Sequence, residues 1–136
     1  MKPYLITSFI FLLSAVLFSS CDAIIEPSIA KKTIQAEAPS DQYQSKSDTV
    51  NFWWDEVDNA LTYHLQVVTP NFTNPGNLVL DTVLKKNIFS FNLNPGNYQW
   101  RVLAQNGSSQ TAYSAPRNFS IVTVQQTGTK KSIVLH

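Results

Sequence analysis

A succession of short segments with alternating apolar and polar residues constrains the fold most strongly. Such alternation places apolar side chains on one face of a β-strand and polar side chains on the other. Asn, Asp, Pro and Gly residues, which favour turns, separate the segments. We predict seven strands, over residues 31–37, 49–54, 62–68, 78–84, 87–93, 97–105 and 118–124. Since no stretch keeps a helical apolar stripe, this pattern predicts an all-β sandwich.

The same alternation assigns each predicted strand an inward and an outward face. The inward set is large and aromatic: Val50, Phe52, Trp54, Tyr63, Leu65, Val67, Phe89, Phe91, Leu93, Tyr98, Trp100, Val102 and Ala104. The outward set is mostly polar, and its exceptions are Trp53, Val68 and Leu103. With a single cysteine in the chain, no internal disulfide can form, and the fold must depend on this apolar core.

Several segments together resemble a fibronectin type III domain. The clearest are Leu93-x-Pro95-Gly96-x-Tyr98-x-Trp100-Arg101-Val102 and Ala60-x-x-Tyr63-x-Leu65-x-Val67. The resemblance implies a seven-stranded, immunoglobulin-like sandwich over residues 31–124. Residues 38–47 are polar and contain Pro39, which predicts a loop there. The resemblance also implies that Tyr98 forms a tyrosine corner, in which the hydroxyl bonds back to the connecting backbone.

The N-terminus has the pattern of a targeting segment. Lys2 is followed by a mostly apolar run over residues 5–18, which is shorter than the roughly 20 residues of a membrane span. Ser19-Ser20-Cys21 then resembles a relaxed bacterial lipobox of the kind found in Bacteroidota lipoproteins. The resemblance implies a signal peptide over residues 1–20, a lipid on Cys21 and an outer-membrane location, on either the periplasmic or the surface side. We interpret residues 21–30 as a tether; the alternative is a secreted protein with an incidental cysteine.

The C-terminus repeats a string from the start of the predicted domain. Residues 130–135 are similar to residues 31–36, at an offset close to one fibronectin-type repeat. We interpret residues 125–136 as a linker and the start of a truncated second repeat, although the two strings could also coincide by chance.

Composition and spacing argue against several functions. The net charge of +1 offers no basic surface for nucleic acid. His64 and His136 have no Ser or Asp partner at a recognisable spacing, so we predict no catalytic residue and no enzyme. Asp55, Glu56 and Asp58 form the one acidic cluster, which we interpret as a solvated turn; the alternative is a weak site for a hard cation, held by oxygens of the loop. We therefore predict no metal site and no cofactor.

Surface aromatic residues are the better candidates for binding. Trp53 points outward, with Ile88 expected nearby, and Phe72 lies in the Asn-rich loop over residues 71–77. An exposed indole can stack on a sugar or fill a pocket of a protein partner. The alternatives are that Trp53 covers its own sheet or contacts the tether or a neighbouring domain, and that the Phe72 loop is only a turn.

Thr49 and Thr82 each lie in an Asp-Thr-Val string. The string resembles an O-glycosylation signal of Bacteroidota, but a tripeptide this short also arises by chance.

These features favour a non-enzymatic, lipid-anchored outer-membrane lipoprotein that presents a fibronectin type III-like module to a protein or a glycan. One alternative is a carbohydrate-capturing accessory lipoprotein of a polysaccharide-utilisation system. Another is a spacer, that is, a structural module of a truncated multidomain surface protein.

Overall fold

The computed structural model describes residues 25–123, which form two packed β-sheets. The signal peptide, Cys21 and the segment 125–136 lie outside the described residues. The strands are β1 (Ala36–Ala38), β2 (Tyr43–Ser45), β3 (Thr49–Trp54), β4 (Thr62–Pro70), β5 (Pro75–Leu84), β6 (Ile88–Asn92), β7 (Gly96–Gln105) and β8 (Arg117–Ile121). One sheet has the order β1-β3-β6 and the other the order β2-β8-β7-β4-β5. The predicted all-β sandwich is confirmed, with eight strands instead of seven.

The extra strand arises near the beginning of the domain, where the prediction of one strand over residues 31–37 was wrong. β1 is short and irregular, because its register against β3 shifts between Ala36 and Ala38. After Pro39 the chain crosses to the other sheet, and β2 pairs in parallel with β8. The predicted loop over residues 38–47 thus contains a strand. Tyr43-Gln44-Ser45 has no apolar alternation, since its side chains are mostly exposed and β2 lies at a sheet edge.

The connection between β4 and β5 is also tighter than the Asn-rich sequence suggests. β5 begins at Pro75 instead of at the predicted residue 78, because it pairs with β4 as far as Pro70. The turn itself is closed by Asn71, whose Oδ1 accepts a hydrogen bond from the backbone N of Asn74 at 2.8 Å. Much of the predicted loop is therefore strand or tight turn.

The core lies between the two sheets, as the alternation predicts. Eleven of the predicted inward residues are buried, while Phe89 and Phe91 are half-buried beside them. Phe52 packs edge-on against Trp100, with ring centroids 5.4 Å apart, and against Phe119 at 5.8 Å. The Tyr98 hydroxyl donates a hydrogen bond to the backbone O of Asn94 at 2.7 Å, which confirms the tie expected of a tyrosine corner.

Two residues predicted to face outward, Val68 and Leu103, are buried instead, and each is only 3% exposed. The register of β4 against β5 shifts between Val67 and Val68, so the alternation breaks there and both valines are buried. Leu103 lies opposite His64, where the segment after β7 folds across the sheet and brings the Tyr113 hydroxyl to the His64 ring. Neither irregularity follows from residue spacing.

The described part of the predicted tether is attached to the domain. Ile29 is completely buried in the core, and its backbone N donates a hydrogen bond to Ser109 Oγ at 2.9 Å. Asn106 Nδ2 donates to the backbone O of Pro27 at 2.9 Å, and the backbone N of Gly107 donates to a Glu26 carboxylate oxygen at 2.7 Å. An apolar side chain that fills the core thus draws this segment onto the sandwich.

Candidate functional site

Trp53 and Ile88 form an exposed apolar patch on the outer face of the three-stranded sheet. β3 alternates so that Phe52 and Trp54 are buried, which leaves Trp53 on the outside. Ile88 lies directly opposite it on β6, and Ala38 lies opposite it on β1. Trp53 is 44% exposed and Ile88 is 53% exposed. The structure therefore brings two of the three candidate surface residues together, and we call Ala38, Trp53 and Ile88 the Trp53 patch.

Polar pairs continue the same outer face away from the Trp53 patch. Ser90 Oγ donates a hydrogen bond to Asn51 Oδ1 at 2.6 Å, and Thr49 Oγ1 donates to Asn92 Oδ1 at 2.8 Å. Each pair is two residues further along the strands, so its side chains point to the same side as Trp53. The face thus combines an aromatic ring with rows of amide and hydroxyl groups.

Phe72 belongs to a different surface, on the outer face of the five-stranded sheet. Its ring packs against the Arg101 guanidinium, and the ring of Tyr113 packs against that same guanidinium, each with 4.1 Å between the Arg101 Cζ and the ring centroid. Arg101 Nε and Nη2 also donate to Gln66 Oε1 at 3.0 and 2.8 Å. Phe72 is therefore half-buried in an internal stack, on the opposite side of the sandwich from the Trp53 patch.

A chain of polar side chains adjoins this stack. His64 Nε2 is hydrogen-bonded to the Asp81 carboxylate, and the Tyr113 hydroxyl lies 3.0 Å from His64 Nδ1. The hydrogen bond from His64 holds the pKa of Asp81 below its ordinary value. Burial raises the pKa of the Tyr113 phenol. Sequence spacing could not reveal this group, because the strand register and the fold of the segment around Tyr113 bring its members together.

The two threonines with the glycosylation-like string differ in accessibility. Thr49 is exposed on the outer face of β3. Thr82 lies opposite the buried Leu65 and is half-buried, so its side chain faces the interior side of β5. Thr49 is thus the more accessible of the two for a modifying enzyme.

The acidic loop after β3 is exposed and holds an ion pair. Asp58 forms an exposed ion pair with Lys32, with 3.6 Å between the carboxylate oxygen and Nζ. Within residues 25–123, no three His, Cys, Asp or Glu side chains come together as metal ligands. The same residues contain no helix long and apolar enough to cross a membrane.

Solved fibronectin type III domains have a similar structure. The domain of human fibronectin type III domain containing protein 3 superimposes with a TM-score of 0.50 and 11% identity, over 76% of this chain and 96% of that chain. A domain from the human KIAA0970 protein gives 0.49 and 17% identity, over 68% and 74% of the two chains. A Fn3-like protein from Clostridium thermocellum gives 0.46 and 16% identity, over 68% and 92%.

No family model and no curated protein matches the sequence. The structural similarity therefore shows the fold, which is that of a fibronectin type III domain. A fold does not determine a function, so the function has to be inferred from the surface residues.

Proposed function

We propose that the protein is a non-enzymatic, lipid-anchored outer-membrane lipoprotein that presents this fibronectin type III-like module for binding. The single cysteine follows an apolar run of signal-peptide length and two small residues, which supports acylation at Cys21. A cysteine that carries two or three acyl chains would hold the module stably at a membrane.

The observation that carries the binding function is the direct pairing of Trp53 with Ile88, both about half exposed. The rest of this outer face is polar, so the Trp53 patch is a local apolar surface with a polar surround. Buried tryptophans contribute disproportionately to the free energy of protein–protein binding, and a polar rim around an apolar centre is typical of such interfaces. A protein partner is thus the favoured ligand of this patch.

Photocrosslinking in cells tests the patch directly. We expect a photoreactive amino acid at position 88 to give a discrete crosslinked product that the substitution Trp53→Ala removes. Val83 is the matched control position, because it is equally exposed, at 53%, but lies on the other sheet. Equal products from positions 83 and 88, or a product at position 88 that survives Trp53→Ala, would contradict the proposal.

A glycan is the second candidate ligand of the same face, and the polar rows favour it. Asn51, Ser90, Thr49 and Asn92 place amide and hydroxyl groups on the same face as the Trp53 indole, a combination that can orient a sugar stacked on an aromatic ring. This function corresponds to a carbohydrate-capturing accessory lipoprotein. Titration calorimetry of polysaccharides against the wild type and Trp53→Ala separates it from protein binding, since saccharide heats that disappear in the variant would favour the glycan.

The anchor has its own test. We expect metabolic labelling with a palmitate analogue to mark the wild-type protein in the membrane fraction. Cys21→Ser should be unlabelled, while Ser20→Ala should keep its label. A labelled Cys21→Ser protein would overturn the proposed acylation site.

A spacer role is favoured by one geometric feature. The described chain enters the sandwich beside the 106–109 loop and leaves past Ile121, which pairs with Gly96 at the opposite end of β7. Modules joined through opposite ends extend a chain away from its anchor. Genomic sequence downstream of the codon for His136 tests this role, and a further repeat in the same frame would support it.

A further inference from the structure

An amide-lined cleft opens on the five-stranded sheet, at the end of the sandwich far from Ile29. It lies between β2, β8, the start of β7 and the end of β4. Five of its ten lining residues carry a primary amide: Gln42, Gln44, Asn71, Asn97 and Asn118. No lining residue carries a charge. Such a density of neutral hydrogen-bonding groups distinguishes this cleft from the Trp53 patch.

The strand register aligns these amides across the outer face. Ser120 lies opposite Gln44 on one side and opposite Asn97 on the other. Adjacent strands are about 4.8 Å apart, so the backbones at Gln44 and Asn97 are separated by roughly 10 Å across two strand spacings. This span suits one or two pyranose rings laid across the strands.

The wall of the cleft is held in place by its own hydrogen bonds. The Asp41 carboxylate accepts bonds from the backbone N and the Nδ2 of Asn118, at 2.7 and 3.0 Å. Gln99 Nε2 donates to the Asn118 Oδ1 at 3.1 Å. The two bonds from Asn118 keep the pKa of Asp41 below its ordinary value, with the backbone bond as the largest cause. Asn118 is therefore fixed before any ligand arrives.

Backbone conformation adds a second sign of a built site. Gln42 has φ = 66°, in the left-handed region that residues other than glycine rarely occupy. Its backbone N donates a 2.7 Å hydrogen bond to the backbone O of Asn118, which holds this conformation. Strained residues of this kind cluster at ligand sites, where the surrounding structure maintains them.

The remaining amides are available to a ligand. Gln44 and Asn97 are exposed, and no side-chain partner within residues 25–123 occupies their amides. Each primary amide offers a donor and an acceptor side by side, which matches two neighbouring hydroxyls of a sugar. No lining residue carries a charge, and the nearby Asp41 carboxylate is already bonded to Asn118, so the lining favours a neutral ligand.

We propose that this cleft binds a neutral oligosaccharide through Gln44, Asn97 and Asn118. The site is separate from the Trp53 patch, which lies on the other sheet, and it does not depend on a ligand there.

NMR titration of the full chain in detergent tests the proposal. The probes are cellohexaose, maltohexaose, laminarihexaose and mannohexaose at millimolar concentration, with hexagalacturonate as the charged comparison. We expect at least one neutral probe to shift the side-chain amide signals of Gln44 and Asn97. The double substitution Gln44→Ala/Asn97→Ala should weaken that binding at least about tenfold, which corresponds to about 1.4 kcal/mol.

Two controls make the result specific. Gln110→Ala removes an exposed glutamine beyond the other end of β7 and should leave the affinity unchanged. Val83→Ala, at an exposed position of β5 that does not line the cleft, should also leave it unchanged. The double variant is expected to keep the wild-type spectrum elsewhere, because both of the substituted side chains are exposed on the surface of the sheet.

Three results would overturn the proposal: no shift with any neutral probe, equal binding of hexagalacturonate, or full affinity in the double variant. Shifts centred on the Trp53 indole would also overturn it, while leaving the function proposed for the Trp53 patch intact. Loss of the crosslink from position 88 by Trp53→Ala, with saccharide shifts unchanged, would support both sites independently.

Discussion

Replacing Ile29 by alanine should destabilise the whole domain, although this residue lies in a segment whose sequence is typical of a tether. The Ile29 side chain is completely buried within the core cluster, and its backbone is bonded to Ser109. The neighbouring Ile25 provides a matched control, because it is 89% exposed. The same substitution can therefore be made at a buried and at an exposed position of one segment.

The expected magnitude follows from that burial. Ile→Ala removes three carbon atoms from a packed site, and such core truncations cost about 2–5 kcal/mol in unfolding free energy. In the variant, the segment could also detach from the sandwich and so avoid leaving a cavity. The loss of unfolding free energy therefore cannot exceed the free energy that docks the segment, and we expect about 2–4 kcal/mol. For a domain of this size each 1 kcal/mol lowers Tm by about 4–8 °C, so Tm should fall by at least about 8 °C.

Urea unfolding followed by tryptophan fluorescence measures the change, and hydrogen exchange at the Ile29 amide shows whether the segment has detached. Ile25→Ala should unfold within about 0.5 kcal/mol of the wild type. If Ile29→Ala were as stable as Ile25→Ala, the docking of this segment would be energetically irrelevant, and the reasoning from burial would be refuted.

Three further predictions concern polar contacts. Tyr98→Phe, which removes the hydroxyl bond to Asn94, should cost about 0.5–1.5 kcal/mol in urea unfolding with an unchanged m-value. Arg101→Lys, which gives up the paired hydrogen bonds and the flat aromatic stack, should cost about 1–2 kcal/mol, and Arg101→Ala should cost no less. The pKa of Asp81 is lowered in the fold by His64, so the unfolded chain binds more protons between the folded and unfolded pKa values, and stability is lost as the pH falls below about 4. Asp81→Asn should therefore show a shallower loss of unfolding free energy between about pH 6 and about pH 3; an identical slope would contradict that role.

Strand alternation predicted the core because most of the sandwich is regular. Phe52, Trp54 and Trp100 lie where period two places them, and the pairing of Trp53 with Ile88 follows from two adjacent regular strands. The errors fall where regularity ends. Val68 follows a register shift, and the crossing of the chain to form β2 leaves no apolar signal in Tyr43-Gln44-Ser45.

Surface groups were less predictable than the core, because they bring together residues that are far apart in the sequence. Alternation within one strand does not encode such contacts. Phe72 is a candidate contact by its place in a polar loop, yet its ring is held by Arg101, which is distant in sequence. Tyr113 reaches His64 only because the chain after β7 turns back over the sheet. The amide cleft combines residues from four separate stretches, and none of those stretches carries a motif by itself.

The docking of Ile29 at one end, with the exit past Ile121 at the other, determines how the domain responds to mechanical load. A pull between these points runs along the strands, since β7 extends from the Gly96 pair with Ile121 to the loop that binds Pro27. The hydrogen bonds that join β8 to β7 and β2 are then sheared together and are not broken one after another. The entry point is further secured by a side chain that must leave the core before the first strand can be peeled away. Tension applied between these two points would therefore load the strands lengthwise, the direction in which their hydrogen bonds act together.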